Sequence, residues 1–229
     1  MSQPYSPYGA GYGTEGATGA PMAGGGPIYR APVPGQGLSP LGSGVRTAFA
    51  IVVVLAMLAF VSSIGCMTGA IITNPDRPDE SLMIAFGVTL VLAIFLLYAQ
   101  IFLGIFWIYK VWSWLPEDQR WSKHWKGRID PTMAAGMMLI PYFQYYWMFV
   151  IDCGICDAMD RMRIHFPTTR VAPKQLAIAA GICQLIIPLP VGSILWLMFM
   201  GRIEAMTRDM SAAAAQFGRP GAGPAQPPY

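Results

Sequence analysis

A Cys-x-x-Cys pair is the feature of this sequence whose residue types and spacing come closest to a chemical function. Cys153 and Cys156 enclose a glycine and an isoleucine. Where such a pair opens a helix, the thiol pKa falls and the pair exchanges disulfides readily. This pair follows a long apolar run and so closes or continues a helix, whose dipole there favours the neutral thiol. Three interpretations stay open: small packing residues, a structural disulfide and a redox pair.

The two remaining cysteines, Cys66 and Cys183, lie inside apolar runs. With four membrane spans, all four thiols would fall in the outer half of the membrane, on the side where disulfides persist in bacteria. This arrangement resembles the four-helix membrane thiol oxidoreductases that pass electrons from a Cys-x-x-Cys pair to quinone, although the second, loop-borne cysteine pair of those enzymes has no counterpart here. Adding His165 gives three soft ligands at a spacing that matches no common zinc pattern. We therefore predict no metal and no cofactor.

Aromatic and basic side chains alternate in the segment between the second and third apolar runs. Tryptophan is favoured at headgroup depth, and lysine and arginine are favoured near anionic phosphates. Pro116 followed by two acidic residues is typical of a helix start, so we predict an interfacial helix over about 116–126. The predicted lipid-interface residues are Trp112, Trp114, Trp121, Lys123, Trp125, Lys126 and Arg128.

Two further motifs concern helix packing and helix breaks. Gly65 and Gly69 are four residues apart in the first apolar run, a spacing that lets helix backbones approach within a bundle or a dimer. Pro188 and Pro190 interrupt the last run, where each missing N–H and ring clash weakens a helix. A kink that fits neighbouring helices and a substrate site framed by a broken helix both stay open.

Long apolar runs are the elements that must position these residues. Four stretches contain no Asp, Glu, Lys or Arg: 47–75, 81–109, 131–151 and 175–201. About 20 apolar residues suffice to cross a bilayer as a helix. We predict an all-α integral membrane protein, a four-helix transmembrane bundle with spans at about 47–73, 83–109, 132–151 and 176–201. A helical extension over about 152–165 continues the third span outside the membrane.

The overall composition agrees with a membrane protein. Apolar residues make up 54% of the chain and charged residues 12%, against roughly 25% charged residues in soluble domains. This excludes a soluble enzyme, a nucleic-acid-binding protein and a disulfide-built secreted domain. Charged residues inside the spans would indicate an ion-coupled transporter, but the most polar members of the four runs are Gln100, Gln144 and Gln184.

The two ends of the chain have a different composition. Residues 1–44 contain 12 Gly, 7 Pro and 4 Tyr, and the last residues have a similar Gly/Pro-rich composition. Such segments bury too little apolar surface to offset the entropy of ordering. We predict disordered tails over 1–44 and 211–229.

Lysine and arginine counts predict the orientation, because cytoplasmic loops carry an excess of both. With four spans, ten basic residues fall on the side of the chain termini and five on the other side. We therefore predict a cytoplasmic N-terminus. If the third span did not cross, the N-terminus would still be cytoplasmic and the C-terminus would not.

A Gly/Pro/Tyr-rich start combined with IPYF at 140–143 and YW at 146–147 resembles a group of uncharacterised bacterial multi-pass membrane proteins, classed as domains of unknown function. In that group a proline-bearing span is followed by Tyr-Trp. The resemblance covers about residues 85–200 in outline and implies the bacterial inner membrane.

The leading functional hypothesis is a non-enzymatic inner-membrane protein, an accessory, scaffold or envelope factor that uses flexible cytoplasmic tails for interaction. Its partners would be membrane lipids, other membrane or cytoplasmic proteins, or a second copy, and not nucleic acid. One alternative is a membrane thiol oxidoreductase that uses Cys153 and Cys156. The other is a channel or transporter for a small solute or a lipid.

Overall fold

A computed structural model describes residues 38–73, 79–166, 168–186 and 191–217, and these are mainly helical. One short antiparallel hairpin is formed by β1 (Trp121–Ser122) and β2 (Gly127–Arg128). Two single 3₁₀ turns cover Glu117–Gln119 and Met137–Leu139. The helices in the described ranges are α1 (Gly44–Thr73), α2 (Glu80–Trp114), α3 (Pro131–Gly136), α4 (Phe143–Met162), α5 (Lys174–Ile186) and α6 (Val191–Phe217).

Helices α1 and α2 are the two helices in the described ranges that are long and apolar enough to cross a membrane. They contain 30 and 35 residues, and at about 1.5 Å per residue each exceeds the roughly 30 Å of a hydrocarbon core. Only 28% and 6% of their most apolar windows are buried within the protein. Their large apolar side chains are therefore mostly exposed, unlike those of a core helix in a soluble protein. The predicted spans 1 and 2 are confirmed as continuous helices.

Small residues form the seam where α1 packs against α2. The buried residues of α1 recur every three or four positions and so lie on one face: Phe49, Val53, Ala56, Ala59, Ser63 and Ala70. Four of these are Ala or Ser, which allow two helix backbones to approach closely and gain dispersion energy along their length. The face of α1 opposite to this seam carries branched apolar side chains.

The predicted packing glycines lie beside this seam and not in it. A Cβ added at Gly65 would meet no atom within 4 Å, and one at Gly69 would meet only the Leu82 side chain, at 3.6 Å. Packing within the chain therefore rests on the Ala and Ser residues. Self-association through Gly65 stays a prediction.

Residues 132–151 are not the continuous span that we predicted. Helix α3 ends at Gly136, a 3₁₀ turn follows, and α4 begins only at Phe143. Pro141 lacks the N–H that a helix needs, and Tyr142 has a φ of 63°, a left-handed conformation that is uncommon for residues other than glycine. The chain turns at this point, and Tyr142 is 86% exposed at the tip.

In the described ranges, residues 176–201 belong to two helices rather than to one. Helix α5 ends at Ile186 and α6 begins at Val191, while Pro188 and Pro190 lie outside the described residues. A Cβ at Gly192 would lie 3.0 Å from the backbone of Gln184, whereas eight residues of continuous helix would separate the two by about 12 Å. The two helices therefore run antiparallel and side by side. Helix α6 continues to Phe217, so residues 211–217 are helical where we predicted disorder.

The predicted interfacial helix over 116–126 is replaced by a 3₁₀ turn and the β1–β2 hairpin. Lys126, with a φ of 55°, completes the tight connection between the strands. Arg161 of α4 donates hydrogen bonds to the carbonyl oxygens of Gln119 and Trp121 and to the Gln119 side chain. These bonds satisfy backbone acceptors that a helix would have used internally, and so they favour the extended conformation.

The predicted helical extension after residue 151 is present, because α4 continues to Met162. Most residues of this half of α4 are buried in the core of the protein. Its large buried apolar side chains are Ile155, Met159 and Met162, and Phe166 beyond the helix end is buried with them.

Helices α3–α6 and the β-hairpin pack against one end of the α1–α2 pair. Gln100 of α2 contacts Ser193 of α6 through its side chain, and the Trp107 ring packs edge-on against Trp196, with centroids 5.9 Å apart. Just before α1, the backbone N–H of Leu41 donates a hydrogen bond to the Thr207 hydroxyl of α6. We call this group of elements, residues 115–217, the helical domain.

The seam between α1 and α2 makes the first testable prediction. Ser63→Leu should overpack the helix pair, which typically costs about 1–3 kcal/mol, whereas Ser62→Leu places the same side chain on the exposed face. We expect the first variant to unfold at a temperature several degrees lower in detergent, measured by circular dichroism, and the second to match the unmodified protein. Equal melting temperatures for the two variants would contradict the assigned seam.

Candidate functional site

A cavity of about 200 Å³ lies where the α1–α2 pair meets the helical domain. It is enclosed by α1, α2, α4, α5, α6 and the second 3₁₀ turn, and it is bounded mainly by apolar and aromatic side chains. Such apolar hollows with a few polar groups are the usual form of ligand sites. The residues lining it are Phe49, Leu97, Gln100, Ile101, Gly104, Ile105, Ile108, Met138, Gln144, Tyr145, Met148, Gln184 and Trp196.

Three glutamines from three different helices converge on this cavity. Gln100, Gln144 and Gln184 belong to α2, α4 and α5. The sequence marks them as the most polar members of the apolar runs, but nothing in their spacing indicates that they meet. The α3–α4 turn and the antiparallel α5–α6 packing bring them together. Each amide offers both hydrogen-bond donors and an acceptor.

Gln100 is the most deeply buried polar group in the cavity wall, with 3% of its surface exposed. Its Nε2 donates a hydrogen bond to the Ser193 hydroxyl. Its Oε1 is buried with no hydrogen-bond partner. A buried acceptor without a partner is unfavourable by about 1–3 kcal/mol, so this oxygen is suited to receive a hydrogen bond from a bound molecule.

Two exposed lining residues, one on α2 and one on α4, indicate that the cavity opens between these helices. Ile101 and Tyr145 both line it, and they are 43% and 40% exposed. The opening is flanked by further exposed apolar residues of α2, among them Phe102. A ligand would therefore enter from an apolar surface.

Among the residues that the structure describes, none of those lining the cavity carries a charge. The nearest buried charge pair along α6 joins Arg46 and Glu204, whose Nε and Oε2 atoms are 3.1 Å apart. The Arg46 side chain packs directly over Gly201, since a Cβ at position 201 would lie 2.7 Å from the Arg46 guanidinium. Burial raises the pKa of Glu204, and Arg46 is the main group that opposes this rise.

Cys153 and Cys156 are free and buried. Burial is the first cause that raises the pKa of both thiols. Exchange-reactive thiols have a lowered pKa and are accessible, so this environment favours neutral, unreactive thiols. Gly154 between them has a packing role, because a Cβ there would lie 3.2 Å from the Trp112 ring.

Carboxylates surround the two thiols on α4. Asp157 forms an ion pair with Lys174, with 3.0 Å between Oδ1 and Nζ. Asp152 is almost fully buried and neither of its oxygens has a hydrogen-bond partner, so burial raises its pKa well above the ordinary value and favours the neutral acid. Within the described ranges, no group of three His, Cys, Asp or Glu side chains is arranged to hold a metal ion. His165 therefore joins no such group there.

The predicted lipid-interface residues separate into an exposed and a buried set. Trp125 is exposed and packs edge-on against Trp147, with centroids 5.0 Å apart. Trp112 is fully buried and packs against Gly154. The indole of Trp114 donates a hydrogen bond to the carbonyl of Ser39, and Trp121 is half-buried on β1. The basic members are exposed on the hairpin: Lys123, Lys126 and Arg128.

No protein-family model, curated protein or solved structure matches the chain.

The buried thiols make the second prediction. In a Cys66→Ala, Cys183→Ala variant at pH 7.5, maleimide should label native Cys153 and Cys156 at least tenfold more slowly than the unfolded chain. The physical reason is that burial removes access and raises the thiol pKa. Lys123→Cys, on the exposed hairpin, serves as the fast-labelling control. Rapid native labelling, or a disulfide in the purified protein, would contradict buried structural thiols.

The Arg46–Glu204 pair makes the third prediction. Arg46→Met leaves Glu204 buried without its counter-charge, which should lower the free energy of unfolding by about 3 kcal/mol. Because burial raises the Glu204 pKa in the folded state, protonation as the pH falls through that value should reduce the loss. Thermal unfolding between pH 5 and 8 measures both effects. Arg202→Met changes an exposed arginine on α6, the helix that carries Glu204. This control variant should leave stability nearly unchanged at all these pH values.

Proposed function

We propose that the protein is a non-enzymatic accessory or scaffold protein of the bacterial inner membrane. In this proposal α1 and α2 cross the bilayer as a hairpin, and the helical domain is held against the cytoplasmic face. The observation that carries the proposal is that the described domain packs only on the end of the hairpin formed by the start of α1 and the end of α2. The two-span arrangement replaces the four-helix transmembrane bundle.

Distances along α2 support the two-span arrangement. Gln100, which contacts Ser193 close to the start of α6, lies 20 residues after Glu80 at the start of α2. This length of helix rises about 30 Å, which equals a full hydrocarbon core. The domain therefore starts near one membrane boundary, and the bare part of α2 fills the bilayer.

The distribution of basic residues supports the orientation. Two spans leave only residues 74–79 on the far side, where Arg77 is the single basic residue, and the other fourteen lysines and arginines lie on the domain side. Cytoplasmic loops carry the excess of these residues. This asymmetry is much larger than the ten against five of the four-span arrangement, and it puts both the N-terminus and the domain in the cytoplasm.

Exposed apolar residues at the domain's hairpin tips support contact with the membrane. At the α3–α4 turn, Leu139, Ile140 and Tyr142 are exposed, and the first turns of α6 expose Val191 and Ile194. Buried apolar surface and nearby basic residues together favour an interfacial position. The tips dip into the cytoplasmic leaflet, while the exposed charges of Arg163 and Arg170 remain in water.

This arrangement bears on the thiol oxidoreductase alternative. Cys153 and Cys156 fall on the cytoplasmic side, where thiols are kept reduced. Their free state and burial agree with that compartment. The accessory role therefore rests on the anchored domain and on the tails, whose tyrosines at 5, 8, 12 and 29 offer contact area to partner proteins at low entropic cost.

Site-specific labelling tests the proposal in intact cells. In a cysteine-free background, Thr169→Cys in the α4–α5 connection is cytoplasmic with two spans and external with four. A membrane-impermeant maleimide should therefore label it only after permeabilisation. Glu80→Cys is external under both arrangements and should be labelled in intact cells. Lys123→Cys is cytoplasmic under both arrangements and should be labelled only after permeabilisation. Labelling of Thr169→Cys in intact cells would overturn the two-span proposal.

A further inference from the structure

We propose that the cavity binds the hydroxyl head of an uncharged lipid alcohol. Gln100 Oε1 accepts the hydroxyl hydrogen, and the apolar chain leaves the protein between Ile101 and Tyr145. The inference rests on the proposed membrane anchoring, because that opening must face the lipid phase for such a ligand to enter.

The direction of the available hydrogen bond defines the head group. One N–H of Gln100 Nε2 bonds to Ser193, and the buried atom left without a partner is the acceptor Oε1. An acceptor is satisfied only by a donor, so a head that offers carbonyl or ether oxygens alone would leave Oε1 unsatisfied and is disfavoured. A hydroxyl supplies that donor and also accepts a bond from the Gln144 or Gln184 amide, both of which line the cavity.

The described residues of the cavity wall carry no charge, and this restricts the head group to an uncharged one. A phosphate or ammonium group would lose its hydration here without gaining a counter-ion, and an unpaired buried charge is far more costly than a paired hydroxyl. The Arg46–Glu204 pair lies towards the domain side and is mutually neutralised. The wall therefore selects against charged phospholipids.

The cavity volume defines how much of the ligand lies inside. Its 200 Å³ is below the roughly 300–1,000 Å³ of sites that enclose a drug-sized molecule. A glycerol or alcohol head with its first carbons fits, and the remaining chain must lie outside. The exposed apolar surface around Ile101 and Phe102 receives that chain.

Gly104 provides a way to fill the cavity without disturbing its wall. A Cβ at this position would lie 3.8 Å from both Phe49 and Trp196, which is ordinary contact. Gly104→Leu therefore occupies the space meant for the head. The same change replaces a helical glycine, which favours folding, so this variant should be no less stable than the unmodified protein.

The binding experiment uses the full chain in lipid nanodiscs and follows tryptophan fluorescence, since Trp196 lines the cavity. The probes are dioctanoylglycerol, its 3-O-methyl ether, farnesol as an isoprenoid alcohol, and dioctanoyl phosphatidylglycerol. We expect saturable binding of dioctanoylglycerol or farnesol, and whichever binds tighter identifies the lipid class. The methyl ether should bind about tenfold more weakly because it lacks the donor, and the anionic lipid should not compete.

Matched variants locate the site. Gln100→Met should weaken binding of the alcohol about tenfold and remove the preference over the methyl ether, while Gln175→Met, the same change at an exposed position on α5, should leave both unchanged. Gly104→Leu should abolish saturable binding with its melting temperature maintained.

Three results would overturn the inference: equal binding of the alcohol and its ether, binding that survives Gly104→Leu, and no saturable binding at all, which would leave water as the only occupant. The Thr169→Cys labelling is independent of these results. A failed binding experiment with protected Thr169→Cys therefore rejects the ligand alone, whereas external labelling rejects the topology.

Discussion

Under the proposed membrane anchoring, unpaired backbone polar groups would be prohibitively costly in hydrocarbon, and the rest of the structure depends on how the chain meets that constraint. Regular helices satisfy their own N–H and C=O groups. Helices α1 and α2 are unbroken over 30 and 35 residues, and the small residues of their seam, such as Ala56 and Ser63, let them pack without help from other elements. Every proline- or loop-broken part of the described chain is placed at one end of this pair. The helical domain can contain breaks and turns because the regular α1–α2 hairpin alone satisfies the backbone hydrogen bonds inside the proposed membrane.

The cavity is a product of that irregularity. If residues 132–151 had formed one continuous helix, Gln144 would have lain in the middle of that helix and not beside Gln184. The left-handed Tyr142 and the antiparallel α5–α6 packing instead fold two apolar hairpins against Gln100. Large rings such as Trp107, Trp196 and Phe199 pack against one another between α2 and α6. Gly104 has no side chain to fill the cavity beside them.

Sequence reasoning predicted the all-helical class and both long apolar helices, because their signals are local and uninterrupted. It failed for 132–151, where an apolar run was read as one continuous span although Pro141 interrupts the helix. For 176–201 it marked Pro188 and Pro190 as a break, and the described part of that run belongs to two helices, α5 and α6. In the proposed two-span arrangement, the hairpin tips at the membrane surface have the same apolar composition as spans that cross it. The interfacial helix failed because the Arg161 side chain, 40 residues away from Trp121, decides that backbone. Individual glutamines were visible in the sequence, but their convergence depends on contacts more than 80 residues apart, as between Gln100 and Ser193.

The contact between the segment before α1 and α6 has a consequence for biosynthesis. Leu41 and Thr207 are separated by 166 residues, and Arg46 and Glu204 by nearly as many. In the proposed arrangement, the hairpin α1–α2 leaves the ribosome first and completes its pairing in the bilayer with local contacts alone. The start of α1 then stays uncovered until the last helix is synthesised. Folding of the domain is therefore a late, C-terminally controlled event, and a ribosome that stalls within α6 would leave an anchored chain whose first apolar residues are open to chaperones and proteases.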